Sequence, residues 1–418
     1  MTTAVLFIRP ADLLPEWADV PFYEILVLAC LAIALPDILN QFSARALAAA
    51  PITLCVIGIL AAIVLSHAFH SQFESAQTNG IEFAKVLLYY MLLVGVIDST
   101  ERLRHFLIFL ALFIVMLAAI PLLHHHGVID LGTVEALDER GVDRHSGRQL
   151  VFTRLQGPGI FHDPNDLCHM LGTGVLLCVA GMDAGRSRLG RLLWVAPVAI
   201  LLWAMVLTQS RGGILALAGG LAVFGLLRFG WKKAIVVGAI AAPVLLGFLS
   251  GRQADISLDT QTGQERIQLW SDAMDLIRAN PVLGVGEGGF EKATGLVVHN
   301  SFIQCFVELG WVGGTCFLGA FYFAMRVLMS QRPSAALRPC LAAAVAAYVV
   351  GMLSLTRSYL VPTYLTLGLA TAYSRVTPAA GGAAGPRMNG RLLRELAAVS
   401  IIFLVLAHFW VRASVHWQ

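Results

Sequence analysis

Several short stretches of this sequence combine residue types able to handle phosphate and hydroxyl groups. Thr208-Gln-Ser-Arg-Gly-Gly (208–213) puts a permanent cation, Arg211, at the end of an apolar run. Snorkelling to lipid phosphates is the plainer use of such an Arg. Its neighbours Ser210 and Gly212, where an anchor belt would have Trp or Tyr, favour ligand contact. Arg154 to Leu167 contains Gly157 and Gly159, then Asp163-Pro164-Asn165-Asp166. This reads as a helix start, with Asp163 as cap, Pro164 at the first helical position and Asp166 set against the dipole. It serves either as a capped start alone or as a place where Arg154 and the glycines let a ligand come close to backbone next to a helix N-terminus. Val298-His-Asn-Ser-Phe (298–302) brings His299, beside Asn300, to the edge of another apolar run. An imidazole, with an unperturbed pKa of about 6.5, can accept a proton near neutrality. Glu308 lies nine residues further, about 13 Å along a helix, too far to touch His299 from the same helix.

Other patches invite plainer readings. Thr262 and Glu265 have capping-box spacing, Ile267, Trp270, Met274 and Ile277 recur at helical spacing, and Asn280-Pro281 stops the run. The segment is an amphipathic helix of about four turns, with Arg266 on its first turn as the candidate for chemistry. Gly284-Val-Gly-Glu-Gly-Gly matches G-x-G-x-x-G, but with no strand before it the expectation is a flexible turn and not a dinucleotide site. His124-His125-His126 reads as an interfacial polar cap. No metal site or cofactor is expected. The seven Cys (30, 55, 168, 178, 305, 316 and 340) lie in or beside apolar runs without a C-x-x-C pair, as packing residues.

The elements that position these groups follow from composition. Of 418 residues, 57% are hydrophobic and 13% charged, against about 25% charged in a soluble domain; mean hydropathy is +0.74. Lipid must therefore cover the chain. The fold class is all-α and polytopic, one integral membrane domain over 1–418. Apolar runs suggest about twelve transmembrane helices, near 22–38, 48–68, 81–97, 104–123, 165–182, 192–208, 213–229, 233–250, 301–325, 339–356, 358–374 and 395–411. Thr2 to Arg9 is a short extra or interfacial segment, and no cleavable signal peptide stands out. Alternate loops are short and basic, carrying Arg102 and Arg104; Arg186, Arg188 and Arg191; Arg228, Lys232 and Lys233; Arg332 and Arg338; and Arg387, Arg391 and Arg394. The positive-inside rule makes these cytoplasmic. The long loops 124–164 and 251–300, the 209–212 turn and the 356–362 link then face outward, and 376–394 is a flexible cytoplasmic linker. A net charge of +3 gives no argument for nucleic acid.

Taken together, the patches resemble the O-antigen ligase and polymerase superfamily of bacterial envelope glycan assembly. The stretches that carry the resemblance are 157–167, 208–213, Arg266…Trp270…Asn280-Pro281…Gly284-Val-Gly and His299-Asn-Ser-Phe…Glu308-Leu-Gly…Gly313, in the family's order. The resemblance implies an architecture of the GT-C type. It also implies transfer, without a metal, of a glycan from undecaprenyl diphosphate to an acceptor hydroxyl at the periplasmic face of the bacterial inner membrane. The acceptor would be lipid A–core, another lipid-linked repeat or a protein. On this reading Arg211 and Arg266 grip the diphosphate, Arg154 is a weaker third, and His299 deprotonates or orients the acceptor. Asn165 and Asn300 are substrate-binding candidates. The 124–164 loop, with Glu135, Asp138, Glu139, Arg140, Asp143 and Arg144, has no counterpart in the family's pattern and suggests a solvated flap.

Two other classes compete. A transporter or flippase predicts ionisable residues at the bilayer midplane and paired broken helices. Glu82 and Lys85 simply pair on this reading, and no matching halves with interrupted helices are found. A structural scaffold for an envelope assembly complex would not need Arg211, Arg266 and His299 to converge.

Overall fold

The computed structural model describes residues 2–8, 16, 20–130, 137–142, 149–185, 187–236, 238–239, 261–330, 337–377 and 387–415. Among them, nine helices are long and apolar enough to cross a membrane. They coincide with nine of the expected spans. Two further expectations are met by helices of 16 residues, Leu337–Met352 and Val361–Val376, short of the roughly 20 that a full span needs. The expected span 233–250 lies mostly outside the described residues. Exposed faces of the spans are oily, with Leu28, Ile33, Ile402, Leu406 and Phe409 all more than half exposed, as lipid contact requires.

The chain divides into two compact units: residues 1–33, 101–255 and 334–351, and residues 34–100, 256–333 and 352–418. In the first unit, α1 (Thr2–Ile8) is seven residues long, too short to span. Its Phe7 packs edge-on against Phe161 at 5.4 Å, and the Phe7 carbonyl accepts the Ile160 N–H at 3.2 Å. The Phe22–Gln41 span, α2, belongs to the first unit up to Ile33 and to the second from Ala34, and the Ala44–Ala48 helix, α3, belongs to the second.

Helix α7 (Pro164–Ala184) is the core of the first unit, buried on nearly every side over its first 17 residues. Glycines let its neighbours close in. A methyl group at Gly174 would come within 2.7 Å of Ile114 on α6 (Thr100–His125) and 3.1 Å of Leu201 on α9 (Val195–Thr208). Gly213 on α10 (Arg211–Phe229) lies in the same way against Cys168. In a membrane, where no hydrophobic drive favours helix contact over lipid contact, this close approach is what holds helices together. Between α6 and α7 stands an antiparallel hairpin, β1 (Leu137–Val142) and β2 (Gln149–Arg154), with Leu137 opposite Arg154. The sequence reading did not anticipate it. The short α8 (Arg188–Leu192) leads into α9, and the two form one of the nine spans.

The second unit is built on α13 (Ser301–Ser330); the short α12 (Gly289–Thr294) precedes it in the chain, and α14 (Leu337–Met352), nearly all of it in the first unit, follows it. Around α13 stand α4 (Pro51–Phe69), α5 (Phe73–Val96), α11 (Gln261–Ala279), α15 (Val361–Val376) and α16 (Gly390–Ser414). The Tyr90 hydroxyl bonds Thr53 and Thr371, both at 2.9 Å, stitching α4, α5 and α15 through an otherwise apolar interior. Amphipathic α11 buries Leu269, Ala273 and Met274 with Val298, Ile303 and Val307 of α13 and the chain before it. It ends at Ala279, as Asn280-Pro281 requires; the side chain of Thr262 is outside the described residues. Of the expected linker 376–394, residues 378–386 are also outside them. Residues 390–394 already belong to α16, capped by Asn389.

Helix α13 is interrupted at Gly310 (φ 63°, ψ −160°). The break removes two helical bonds, those from the Trp311 and Val312 N–H to the Val307 and Glu308 carbonyls. The glycine-rich segment after α11 replaces both. Val285 N–H donates to the Val307 carbonyl (3.0 Å) and Gly286 N–H to that of Glu308 (2.8 Å). In return Trp311 N–H donates to the Pro281 carbonyl (2.8 Å) and Val312 N–H to that of Val282 (3.3 Å). Leaving these four groups unpaired would cost about 1–3 kcal/mol each, comparable in sum to the roughly 5–15 kcal/mol that holds a domain folded. The expected flexible turn at 284–289 is therefore corrected: it is a fixed segment hydrogen-bonded into a broken helix.

The two backbones meet because neither glycine carries a side chain. A methyl group at Gly284 (φ +68°) would fall on the Glu308 carbonyl, and one at Gly310 on that of Val282. Gly288 (φ +73°) shares the left-handed conformation with open space around it. Gly288→Ala should thus cost only the conformational penalty of about 1–2 kcal/mol. Gly284→Ala should lower the unfolding temperature of the detergent-solubilised protein far more. Equal effects of the two would contradict this account of the break.

Candidate functional site

In the first unit, Arg154 joins two of the sequence motifs, 154–167 and 208–213. It stands at the end of β2, only 6% exposed. Its Nε donates to the Thr208 carbonyl at 2.9 Å and its Nη2 to the Asn165 side-chain oxygen at 3.0 Å. Asn165 in turn donates from its amide to Asp163, whose side chain also caps α7 by accepting the Asn165 backbone N–H at 2.8 Å. Capping by Asp163 and Pro164 at the first helical position are as the residues suggested. Arg154 and Asn165 are thus brought to the turn that starts α10.

That turn runs through Gln209, left-handed at φ 52°, then Ser210, which caps the helix by accepting Gly213 N–H at 3.3 Å. Arg211 is the first helical residue and half-buried. A left-handed non-glycine residue costs on the order of 1 kcal/mol and persists where its surroundings insist on it.

The second unit repeats this local geometry. His299 is left-handed at φ 54°, and Asn300 follows as cap, its side-chain oxygen accepting the N–H groups of Phe302 and Ile303 at 3.1 Å each. His299 N–H donates to Thr356 Oγ at 2.8 Å, and the carbonyl just before it takes the Trp270 indole N–H at 2.7 Å. The link before α15 wraps this helix start. Ser301 Oγ donates to the Leu355 carbonyl and accepts Arg357 N–H, while Ser358 Oγ bonds both the Ser301 carbonyl and Gln304. Arg266 lies on the first turns of α11, half-buried, next to buried Ile267.

Against Val298, the residue before His299, lies a cavity of about 270 Å³ with a mixed lining, in which Phe290 and Val297 stand with Glu287, Gln304, Glu308, Thr356, Arg357 and Tyr359. Glu308, 3% exposed, accepts from the Tyr359 hydroxyl at 2.8 Å and from Gly288 N–H at 3.0 Å. Its backbone carbonyl receives Gly286 N–H and the Ser66 hydroxyl, so the helix break and the cavity share a residue. His67, next to Gly286, is held on both ring nitrogens, by Gln72 and Asn79, each at 3.0 Å. Burial pushes the Glu287 carboxyl up to about 7 and the Tyr359 phenol well above its usual range.

Sequence reasoning singled out His299 but not Glu287, Arg357 or Tyr359, and noted Glu308 without a role. Arg357 had a signal: it is a cation in a short link on the side that positive-inside counting leaves poor in basic residues. The Glu82–Lys85 pair forms as anticipated, at 2.7 Å and exposed. In the triple-His run, His126 accepts the Trp203 indole N–H at 3.3 Å.

The fold and these helix starts define a multi-pass α-helical membrane protein. Residues 196–318 match the family model described as O-antigen ligase. The match takes in Arg211, Arg266, His299 and Glu308 and supports the O-antigen ligase and polymerase superfamily, whose members are glycosyltransferase-like enzymes using lipid-linked glycan donors and glycan acceptors. No curated protein matches the chain.

The Glu287 carboxyl allows a sign to be worked out. Its folded value lies above that of an exposed carboxylate, so the folded state holds the proton more tightly. The resulting stability is complete below about pH 4.5 and is lost as pH rises through about 7. Arg357, Glu308, Glu291 and Tyr359 are the other ionisable groups around the cavity. Glu287→Gln, which cannot ionise, should flatten the decline of unfolding temperature between about pH 5 and 8; an unchanged slope would show that Glu287 does not titrate there.

Proposed function

We propose that the protein is an O-antigen ligase-like glycosyltransferase, moving a glycan from undecaprenyl diphosphate to a hydroxyl of lipid A–core on the periplasmic side of the bacterial inner membrane. What carries the reading is that the segment matched by the O-antigen ligase family holds Arg211 and His299 at two helix starts of the same form, Arg211 two residues after left-handed Gln209 and His299 itself left-handed. Such strain concentrates where a side chain must be aimed.

The chemistry assigns each residue a task. The acceptor oxygen attacks the anomeric carbon, and its proton passes to the His299 imidazole. The bond from that carbon to the diphosphate oxygen breaks, and the electron pair leaves with the diphosphate. Arg211 and Arg266 hold that growing negative charge, since guanidinium keeps its proton and bonds phosphate oxygens in pairs. The positive charge comes from side chains, so the reading calls for no metal. Arg154, already bonded to Asn165 and the Thr208 carbonyl, acts mainly by fixing the turn that presents Arg211. Asn300 acts mainly by capping the helix behind His299. The basic loops named above support placing the site outside.

His299→Ala and Arg211→Ala should each leave the protein inserted yet reduce transfer by at least about a hundredfold in a reconstituted assay with lipid-linked donor. Normal transfer by either would sink the mechanism. Deleting the protein should accumulate full-length lipid-linked glycan; accumulation of single repeats would identify a polymerase instead.

A further inference from the structure

The cavity against Val298 has a chemistry that the transfer mechanism does not use. Glu287 Oε2 is buried and has no hydrogen-bond partner among the described residues. A buried carboxylate oxygen without a donor is costly, and such groups are usually completed by a ligand or water. The wall around it mixes polar groups, namely the Glu308 carboxylate, the amide of Gln304, the hydroxyl of Thr356, the guanidinium of Arg357 and the phenol of Tyr359, with the apolar side chains of Phe290, Val297 and Val298.

This pattern discriminates among ligands. Two carboxylates against one Arg disfavour a phosphate. Arg357 disfavours a metal ion, and no group of three or more His, Cys, Asp or Glu able to hold one occurs among the described residues. A hydroxyl group both donates and accepts, so neighbouring hydroxyls on a ring can satisfy such a mixed wall. At about 270 Å³ the space falls just below the roughly 300–1,000 Å³ of sites for drug-sized ligands, which suits one ring and not a chain. Val298 lines the cavity, and Thr356, also in its wall, accepts the His299 N–H. A ring seated here is therefore one residue from His299.

We propose that this cavity is a subsite for a single neutral sugar unit, held through its hydroxyls, with Glu287 Oε2 accepting one of them. The assignment rests on the glycan-transfer reading and names a substrate contact for it: the sugar that bears or adjoins the acceptor hydroxyl. Arg357 and Gln304 would select for hydroxyl positions, and Glu308 holds the wall in place through Tyr359 and Gly288.

The test is carboxyl footprinting of the full-length protein in detergent, using a carbodiimide and glycine ethyl ester with readout by peptide mass spectrometry. A panel of methyl glycosides should slow labelling of Glu287 several-fold while exposed Glu265, which is not in the cavity wall, is unaffected, and inorganic phosphate should leave Glu287 unprotected. Protection by phosphate equal to that by glycosides, or protection by no glycoside, would overturn the subsite. In the transfer assay, Glu287→Leu should raise the acceptor KM about tenfold, as expected for one lost hydrogen bond, with the donor KM unchanged. An unchanged acceptor KM would likewise overturn it. Protection by glycosides in a protein that transfers no glycan would uphold the subsite and defeat the transfer reading; transfer without protection would do the reverse.

Discussion

The exchange of backbone hydrogen bonds at Gly310 is the constraint on which the second unit depends. A helix broken inside a membrane protein exposes polar groups that lipid cannot satisfy. Here Pro281, Val282, Val285 and Gly286 supply the missing donors and acceptors one for one. The exchange fixes where the chain leaves α11 and brings Glu287 and Gly288 to the carboxylate of Glu308. The upper part of α13, with His299 and Asn300 at its head, is held against this frame. The lower part carries on as ordinary packed helix, with Gly319 fitting against Cys55 and Leu396.

In the first unit the corresponding role falls to a buried cation. Arg154 is expensive to bury unless every polar contact is made, and it draws β2, the start of α7 and the end of α9 to one point. The Leu155 N–H adds a bond to the Leu207 carbonyl at 2.9 Å. Arg211 stands three residues past the carbonyl that Arg154 grips, so its position is set by a residue more than fifty positions earlier in the chain. The two helix starts reach the same local form, a left-handed residue followed by a polar cap, from unrelated neighbours.

Much of this was legible because it is local. Apolar runs announce spans, Asp163-Pro164 announces a helix start, and the 3.6-residue spacing of Ile267, Trp270, Met274 and Ile277 announces α11. His299 stood out because an imidazole beside an apolar run is unusual. What stayed hidden is what depends on distant partners. Nothing in Glu308-Leu-Gly shows that its helix stops there, because the groups that make the stop tolerable lie near 281–286. The G-x-G-x-x-G run looked flexible for the same reason: glycine permits motion in isolation and close approach in company. Glu287, Arg357 and Tyr359 are separated by up to seventy-odd residues and meet only once the link before α15 has wrapped α13. The hairpin escaped notice because Leu137-Asp-Glu-Arg-Gly-Val has little of the apolar alternation that marks a strand.

The paired backbones at the break also govern how long this part of the chain can be. Val285 and Gly286 face Val307 and Glu308 in fixed register, while Pro281 and Val282 face Trp311 and Val312. Adding or removing one residue between 281 and 286 would shift one pair of bonds against the other and orphan at least two polar groups. The stretch from Glu291 to Leu296, mostly exposed and bonded largely within itself, has no such register to keep. Variation in chain length should therefore gather in the second stretch and stay out of the first, a spacing rule that no single residue identity would reveal.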